Sequence, residues 1–245
     1  SLENQVLMPD EVIIADDGSS NETKQVIDNF KKNSLHKIIH SWQQDNGFRA
    51  AKSRNKAIAK SSSEYIVMVD GDMILHPRFI QDHVNNALKG FYIQGSRVLL
   101  SKRRTKEVFL TKQLQISFFS NGLNNKKNAI HSTFLSKVYS NKEKNIKSVR
   151  SCNMGFYRDD CININGFNNN FEGWGREDSE FIARLLNSGI KRKNVRFNLI
   201  QYHLWHEDLS RASLEKNSLI LESTVVNKSI WCENGINTYL KVSSK

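Results

Sequence analysis

Apolar runs alternate with helix-spaced stretches through the first hundred residues. Glu11 to Ala15, His36 to Trp42, Tyr65 to Val69 and Tyr92 to Leu100 read as strands. Between them, Val26, Ile27 and Phe30 repeat at helical spacing behind Ser19 and Glu22, which fit a capping box. Ala50 to Ala59 reads as a second helix, and Phe79, Ile80, Val84 and Leu88 form a third behind Pro77. Such alternation predicts an α/β fold with a mostly parallel central sheet flanked by helices. Ligands of such sheets sit beyond the carboxyl ends of the strands. Both acidic clusters, Asp16-Asp17-Gly18-Ser19 and Asp70-Gly71-Asp72, fall at such ends.

At 245 residues the chain can bury a full core without staples. No linker or internal repeat divides it, so residues 1–245 are expected to form one domain. Within it we distinguish a nucleotide-binding half (1–100), a basic irregular or helical insertion (101–148), a second ordered part (149–208) and a helical tail (209–245). A strand is expected through Val195 to Leu204. The start, Ser1 to Asp10, reads as the end of a helix, so a parallel sheet would expect one further strand before it. The cysteines, Cys152, Cys161 and Cys232, lack metal-type spacing and fit reduced thiols in a cytoplasmic protein. No apolar stretch has the length of a membrane span.

The net charge of +11 is concentrated: residues 101–150 hold twelve Lys or Arg against Glu107 and Glu143. Such a surface attracts phosphate, and peripheral contact with the anionic inner face of a membrane is one expectation. A solvated basic face is the plain alternative. Phe109, Phe118, Phe119, Phe134 and Tyr139 do not follow a base-stacking spacing, so nucleic acid is not expected as a partner.

Two carboxylates flanking Gly71 can face one cation, and oxygen ligands suit Mg²⁺ or Mn²⁺; Asp-Gly is equally a turn pair. His203 or His206 could complete a shell begun by Asp72, which would favour Mn²⁺. The pair can face one way only if the strand has already ended, and both are otherwise ordinary strand-end histidines. Glu177 and Asp178 open a helix marked by Phe181, Ile182, Leu185 and Leu186, where the dipole favours ionised carboxylates. Trp174, between Gly173 and Gly175, offers a stacking face for a sugar or a core aromatic. Arg49, Lys52 and Arg54 line a helix face that is either solvated or turned to a nucleotide. A metal-dependent nucleotidyltransferase would use similar carboxylates, yet no Gly-rich triphosphate loop followed by Lys occurs. A non-catalytic basic phosphate- or nucleic-acid-binding module would account for the charge but not for the acidic pairs.

In order, Asp16 to Ser19, Asn46-Gly47, Ser53-Arg54-Asn55 and Asp70-Gly71-Asp72 resemble glycosyltransferase family 2, of the GT-A fold. Asn165-Gly166-Phe167 and Gly173-Trp174-Gly175-Arg176-Glu177-Asp178 resemble the C-terminal part of β-1,4-galactosyltransferases and bacterial chondroitin-type polymerases. The resemblance implies an inverting hexosyltransferase that uses a UDP-sugar, Mn²⁺ or Mg²⁺, and a saccharide or lipid-linked saccharide acceptor. The implied setting is cell-surface polysaccharide or lipopolysaccharide synthesis. It places Asp17 at the uracil, Asp16 in the same nucleotide-sugar site, Arg54 at the base or diphosphate, Asp70 at the ribose and Asp72 on the metal. His206, with His203 as alternative, would be the distal metal ligand. Trp174, Arg176 and Glu177 would meet the acceptor, with Asp178 as general base. Arg176 departs from the glycine usual at its place, and the missing first strand would normally cradle the uracil.

Overall fold

β1 (Glu11–Asp16) and β2 (Lys37–Trp42), joined by α1 (Asn21–Asn33), pair in parallel with Glu11 opposite Lys37. The computed structural model describes residues 1–146, 149, 151–207 and 210–240. The expected boundaries at 148 and 208 therefore lie outside the described residues. After α2 (Ala50–Lys60) come β3 (Tyr65–Val69), β4 (Met73–Leu75), α3 (Phe79–Asn86), β5 (Phe91–Gln94) and β6 (Val98–Leu100). The basic insertion carries α4 (Lys102–Thr111), β7 (Leu123–Asn124), α5 (Thr133–Tyr139) and β8 (Asn141–Glu143). β9 (Asn153–Tyr157), α6 (Arg158–Asn163), α7 (Glu177–Asn187), β10 (Lys191–Asn194), β11 (Gln201–His203) and α8 (Leu214–Val226) complete the order.

The class is α/β as expected, but the sheets are mixed rather than mostly parallel. A five-stranded sheet runs β3-β9-β5-β10-β8 and a four-stranded one β4-β11-β6-β7. β9 enters between β3 and β5 antiparallel to both, and only β5 with β10 is parallel in that sheet. The physical reason is connectivity. β9 returns after the long insertion, so no right-handed βαβ crossover fixes its direction. β8, from the insertion itself, closes one edge by pairing antiparallel with β10.

Three local expectations are corrected. The run from Val195 to Leu204 is not one strand: Phe197 (φ 60) and Leu199 (φ 55) are left-handed and break it between β10 and β11. Tyr92 to Leu100 likewise splits into β5 and β6, which belong to different sheets. Ser20, not Ser19, stands at the N-cap position of α1 and makes no side-chain capping bond there, while the Ser19 amide donates to Asp16 Oδ1 at 2.8 Å, so the expected capping box does not form. Of that helix's apolar repeat only Ile27 is buried.

The core that carries the site lies between the five-stranded sheet and α7. Tyr92, Met154, Phe156, Phe167, Phe181 and Leu185 pack together there. Phe167 and Phe181 stack with centroids 4.1 Å apart. All three cysteines are buried and no disulfide joins them. Among the described residues no helix is long and apolar enough to cross a membrane.

Candidate active site

Asp70 stands just beyond the end of β3, and Asp72 just before β4. β4 pairs antiparallel with β11, Met73 opposite His203, and the Leu204 amide donates to the Asp72 carbonyl at 3.0 Å. β11 ends at His203, so His206 is free of strand alternation. Both Nε2 atoms consequently lie 3.1 Å from the same oxygen, Asp72 Oδ2. Asp72, His203 and His206 can offer ligand atoms within 4.8 Å of one another.

This donor set fits a divalent ion on two grounds. Asp72 Oδ1 is buried with no hydrogen-bond partner, a state that costs free energy unless an ion or water meets it. His206 Nδ1 lies 2.7 Å from the Glu207 carbonyl, which can only accept, so Nδ1 carries the proton. In the neutral ring Nε2 then aims a lone pair at the Asp72 carboxylate, a repulsion that a cation between them removes. Burial pushes the Asp72 pKa up; when the two imidazoles are protonated instead, the hydrogen bond and charge of His203 and the charge of His206 outweigh it, and the net shift is downward.

The second half of the site assembles around Arg54 on α2. Its Nη1 donates to Glu177 Oε1 at 2.9 Å, its Nη2 to Ser151 Oγ at 3.2 Å, and Asp70 Oδ1 lies 3.7 Å from Nη2. The guanidinium sits 5.5 Å over the Phe167 ring. The adjacent Asn55 donates to the Phe167 carbonyl (2.6 Å) and accepts from its amide (2.8 Å). A side chain at Gly166 would place Cβ 2.4 Å from Asn55 Oδ1, so this bracket depends on that glycine.

Asp178, in the first turn of α7, accepts from the Ser179 amide at 2.7 Å and the Ser151 amide at 3.4 Å. Burial raises its pKa to about 6, with the Glu177 charge adding and Arg54 opposing. Burial likewise raises Asp70, which Arg54 lowers and Asp72 raises. A carboxylate held near neutrality is suited to take a proton.

The Asp16-Asp17 pair divides its work. Asp16 is only 5% exposed and faces inward, 2.6 Å from His40 Nε2. Asp17 receives Gln43 Nε2 and the Arg49 amide, each at 2.5 Å, and so ties the β1 turn to the start of α2. Trp174 is partly exposed with the Arg211 guanidinium 5.6 Å over its ring. Arg176 is left-handed (φ 74) and turns to Ser218 on α8, its Nε 3.3 Å from Oγ. The glycine that the motif favours there is thus explained by backbone conformation. Sequence reasoning missed Ser151, which binds both Arg54 and Asp178, and His40; neither lies in a recognisable motif.

This layout is that of the GT-A fold. TarS 1–349 of S. aureus, solved in complex with UDP, matches 92% of this chain and 60% of its own with TM-score 0.60 at 14% identity. GalNAc-T7, solved with UDP, GalNAc and Mn²⁺, matches 87% of this chain and 41% of its own with TM-score 0.60 at 12% identity. The family model for glycosyl transferase family 2 matches residues 1–159, and that for the N-terminal domain of galactosyltransferase matches residues 133–207. The chain belongs to glycosyl transferase family 2. It is similar to the Escherichia coli chondroitin synthase, with 26% identity over 218 residues. That match covers 79% of this chain but 30% of the relative, so the chain spans about a third of that protein's length.

Proposed function

We propose that this chain is a metal-dependent, inverting glycosyltransferase that moves a hexose or N-acetylhexosamine from a UDP-sugar to a saccharide acceptor. The observation that carries this reading is the convergence of two Nε2 atoms on one oxygen of Asp72, beside a second carboxylate centre in which burial pushes the Asp178 carboxyl up to about 6. Asp72, His203 and His206 would hold Mn²⁺ or Mg²⁺, which supplies Lewis-acid stabilisation of the leaving diphosphate. Asp17 receives the uracil N–H, Asp16 keeps its turn in place, and Asp70 binds the ribose. Trp174 covers the sugars, and Glu177 and Arg176 contact the acceptor. Asp178 removes the proton from the acceptor hydroxyl as that oxygen bonds to the anomeric carbon. The bond from that carbon to the diphosphate oxygen breaks, UDP departs, and the anomeric centre inverts.

The same reading places the enzyme in the cytoplasm, in cell-surface polysaccharide or lipopolysaccharide synthesis, with a lipid-linked acceptor within reach. Exposed Lys102, Arg103 and Lys106 on α4 stand beside exposed Phe109 and Leu110, a combination suited to an anionic membrane surface. Lys102 lies 4.3 Å over the Trp205 ring, next to His206, which would keep such contact close to the metal. Titration calorimetry of the chain with UDP, with and without Mn²⁺, tests the donor site. Mn²⁺-dependent binding that Asp72→Ala abolishes is expected, and full transferase activity of both Asp72→Ala and Asp178→Asn would overturn the proposal.

A further inference from the structure

At the far end of β4 from Asp72, a second group of metal-type side chains converges outside the site described above. His76 follows β4, Asp82 lies on α3, and His131 comes from the basic insertion two residues before α5. Each can offer one ligand atom, all within 4.8 Å of one another. His131 Nε2 is 2.9 Å from Asp82 Oδ2, a hydrogen-bond distance that has to open to roughly 3.3 Å for the two atoms to share one tetrahedral ion. The His76 and His131 rings lie face to face, centroids 4.9 Å apart and planes within 10°. Asp82 is 2% exposed, and the same Oδ2 also accepts the Leu199 amide at 3.3 Å, which helps hold the carboxylate in place.

We propose that His76, Asp82 and His131 form a second metal site, selective for a borderline first-row ion such as Zn²⁺, that clips the basic insertion to α3. Two imidazoles and one carboxylate give an N₂O set that suits Zn²⁺ better than Mg²⁺, with water in the fourth position. The ion takes the place of the proton between His131 and Asp82, which leaves to solvent. His76 must rotate from its stacked position to bring its ring plane onto the ion. Loading also costs the 3.2 Å hydrogen bond from the Arg78 amide to His76 Nδ1. That lone pair is either given to the ion or protonated when Nε2 binds, and at such length the loss is small. The role is structural: β4 and α3 belong to the nucleotide half, and His131 would be tied to them through the metal rather than through one hydrogen bond.

The test uses the full chain carrying Asp72→Ala, which disables the first site, so that the two sites report separately. Titrated with Co²⁺ or Zn²⁺ alone, this protein is expected to take up a single equivalent. The Co²⁺ form should show the visible d–d absorption of a tetrahedral ion. Zn²⁺ at ~100 times its dissociation constant should raise Tm by roughly 5–10 °C. His131→Gln keeps a donor for Asp82 but offers no imidazole, so it should fold and lose both the spectrum and the shift. His76→Gln should do the same. No uptake by the Asp72→Ala protein would overturn the site, as would unchanged uptake by the His131→Gln or His76→Gln protein. Neither result bears on donor binding at Asp72.

Discussion

Arg54 Nη1 lies 2.9 Å from Glu177 Oε1, and this pair joins α2 of the first half to α7 of the second. Both side chains are largely buried, 16% and 12% exposed, and Arg54 also reaches Ser151 and Asp70. Arg54→Ala leaves Glu177 without its partner and is expected to cost about 3 kcal/mol, read by urea denaturation. Arg54 also holds the Asp178 pKa down, so the acidic limb of the pH–rate profile should move to higher pH in this variant. A stability loss with an unmoved limb would show that Arg54 only braces the helices.

Asp178 sets function against stability. Its folded pKa, about 6, lies above the ordinary Asp value of 3.8, so the native state binds the extra proton between those limits. The stability contributed by the protonated form is full below about 3.8 and is lost as pH rises through about 6. Asp178→Asn should therefore be more stable than the parent at pH 8, by roughly 1–3 kcal/mol, and equal to it near pH 3.5. Transfer activity of the parent should fall as pH drops through about 6, while the Asn variant stays inactive throughout. Thermal melts at the two pH values, with a pH–rate profile, check both halves.

The acidic clusters at strand ends were legible because Asp-Gly punctuation after an apolar run is a local signal. Asp70 and Asp72 could be picked out on that ground, Glu177 and Asp178 because they open an apolar-periodic helix, and the structure brings Asp70 and Glu177 to the same guanidinium. Sheet order was not legible. The insertion of β9 between β3 and β5 is decided by packing of residues some sixty to ninety positions apart, which no local pattern records. The break after β10 was hidden for another reason, since Phe197 and Leu199 hold a left-handed backbone that sequence associates with Gly or Asn. Ser151 carries no signal at all, because its role comes from where the chain re-enters the sheet. His76, Asp82 and His131 are drawn together from three separate segments, so no spacing announces them.

Removal of divalent metal should separate the two carboxylate centres. A chelator is expected to abolish UDP binding while leaving the Arg54–Glu177 contact and the fold intact. His203→Ala and His206→Ala should each weaken Mn²⁺ binding by on the order of 10–100-fold or more, the loss typical even of outer-sphere partners. Equal Mn²⁺ affinity in both variants and the parent would remove the histidines from the shell. Calorimetry with Mn²⁺ gives the affinities, and circular dichroism confirms that the fold is unchanged.

Arg176 pays a conformational penalty that glycine would avoid. Its φ of 74 lies in the left-handed region, where an L side chain costs about 1–2 kcal/mol, partly offset by the larger entropy a glycine loses on folding. Arg176→Gly is expected to gain about 0.5–1 kcal/mol, or roughly 1–4 °C in Tm. If the side chain serves the acceptor, KM for acceptor rises in this variant while donor binding is unchanged. Unaltered KM would assign Arg176 to α8 through Ser218 alone.

Gly173 holds the loop that presents Trp174. Its φ is +72, and an added Cβ would stand 2.1 Å from Ser213 Oγ at the start of α8. Two separable costs follow for Gly173→Ala: about 1–2 kcal/mol of left-handed strain and about 1–3 kcal/mol of overpacking. Ser213→Gly in the same chain removes the hydroxymethyl group and with it the second cost, so the double variant should recover part of the lost stability and no more. The loop's tie to the first half, the Gly173 amide donating to the Phe48 carbonyl at 2.8 Å, should strain under the single substitution. Trp174 would then shift relative to Asp178, raising KM for acceptor more than it changes UDP affinity. Full rescue by Ser213→Gly would mean that the left-handed backbone contributes nothing, and an unchanged KM would mean that Trp174 does not touch the acceptor.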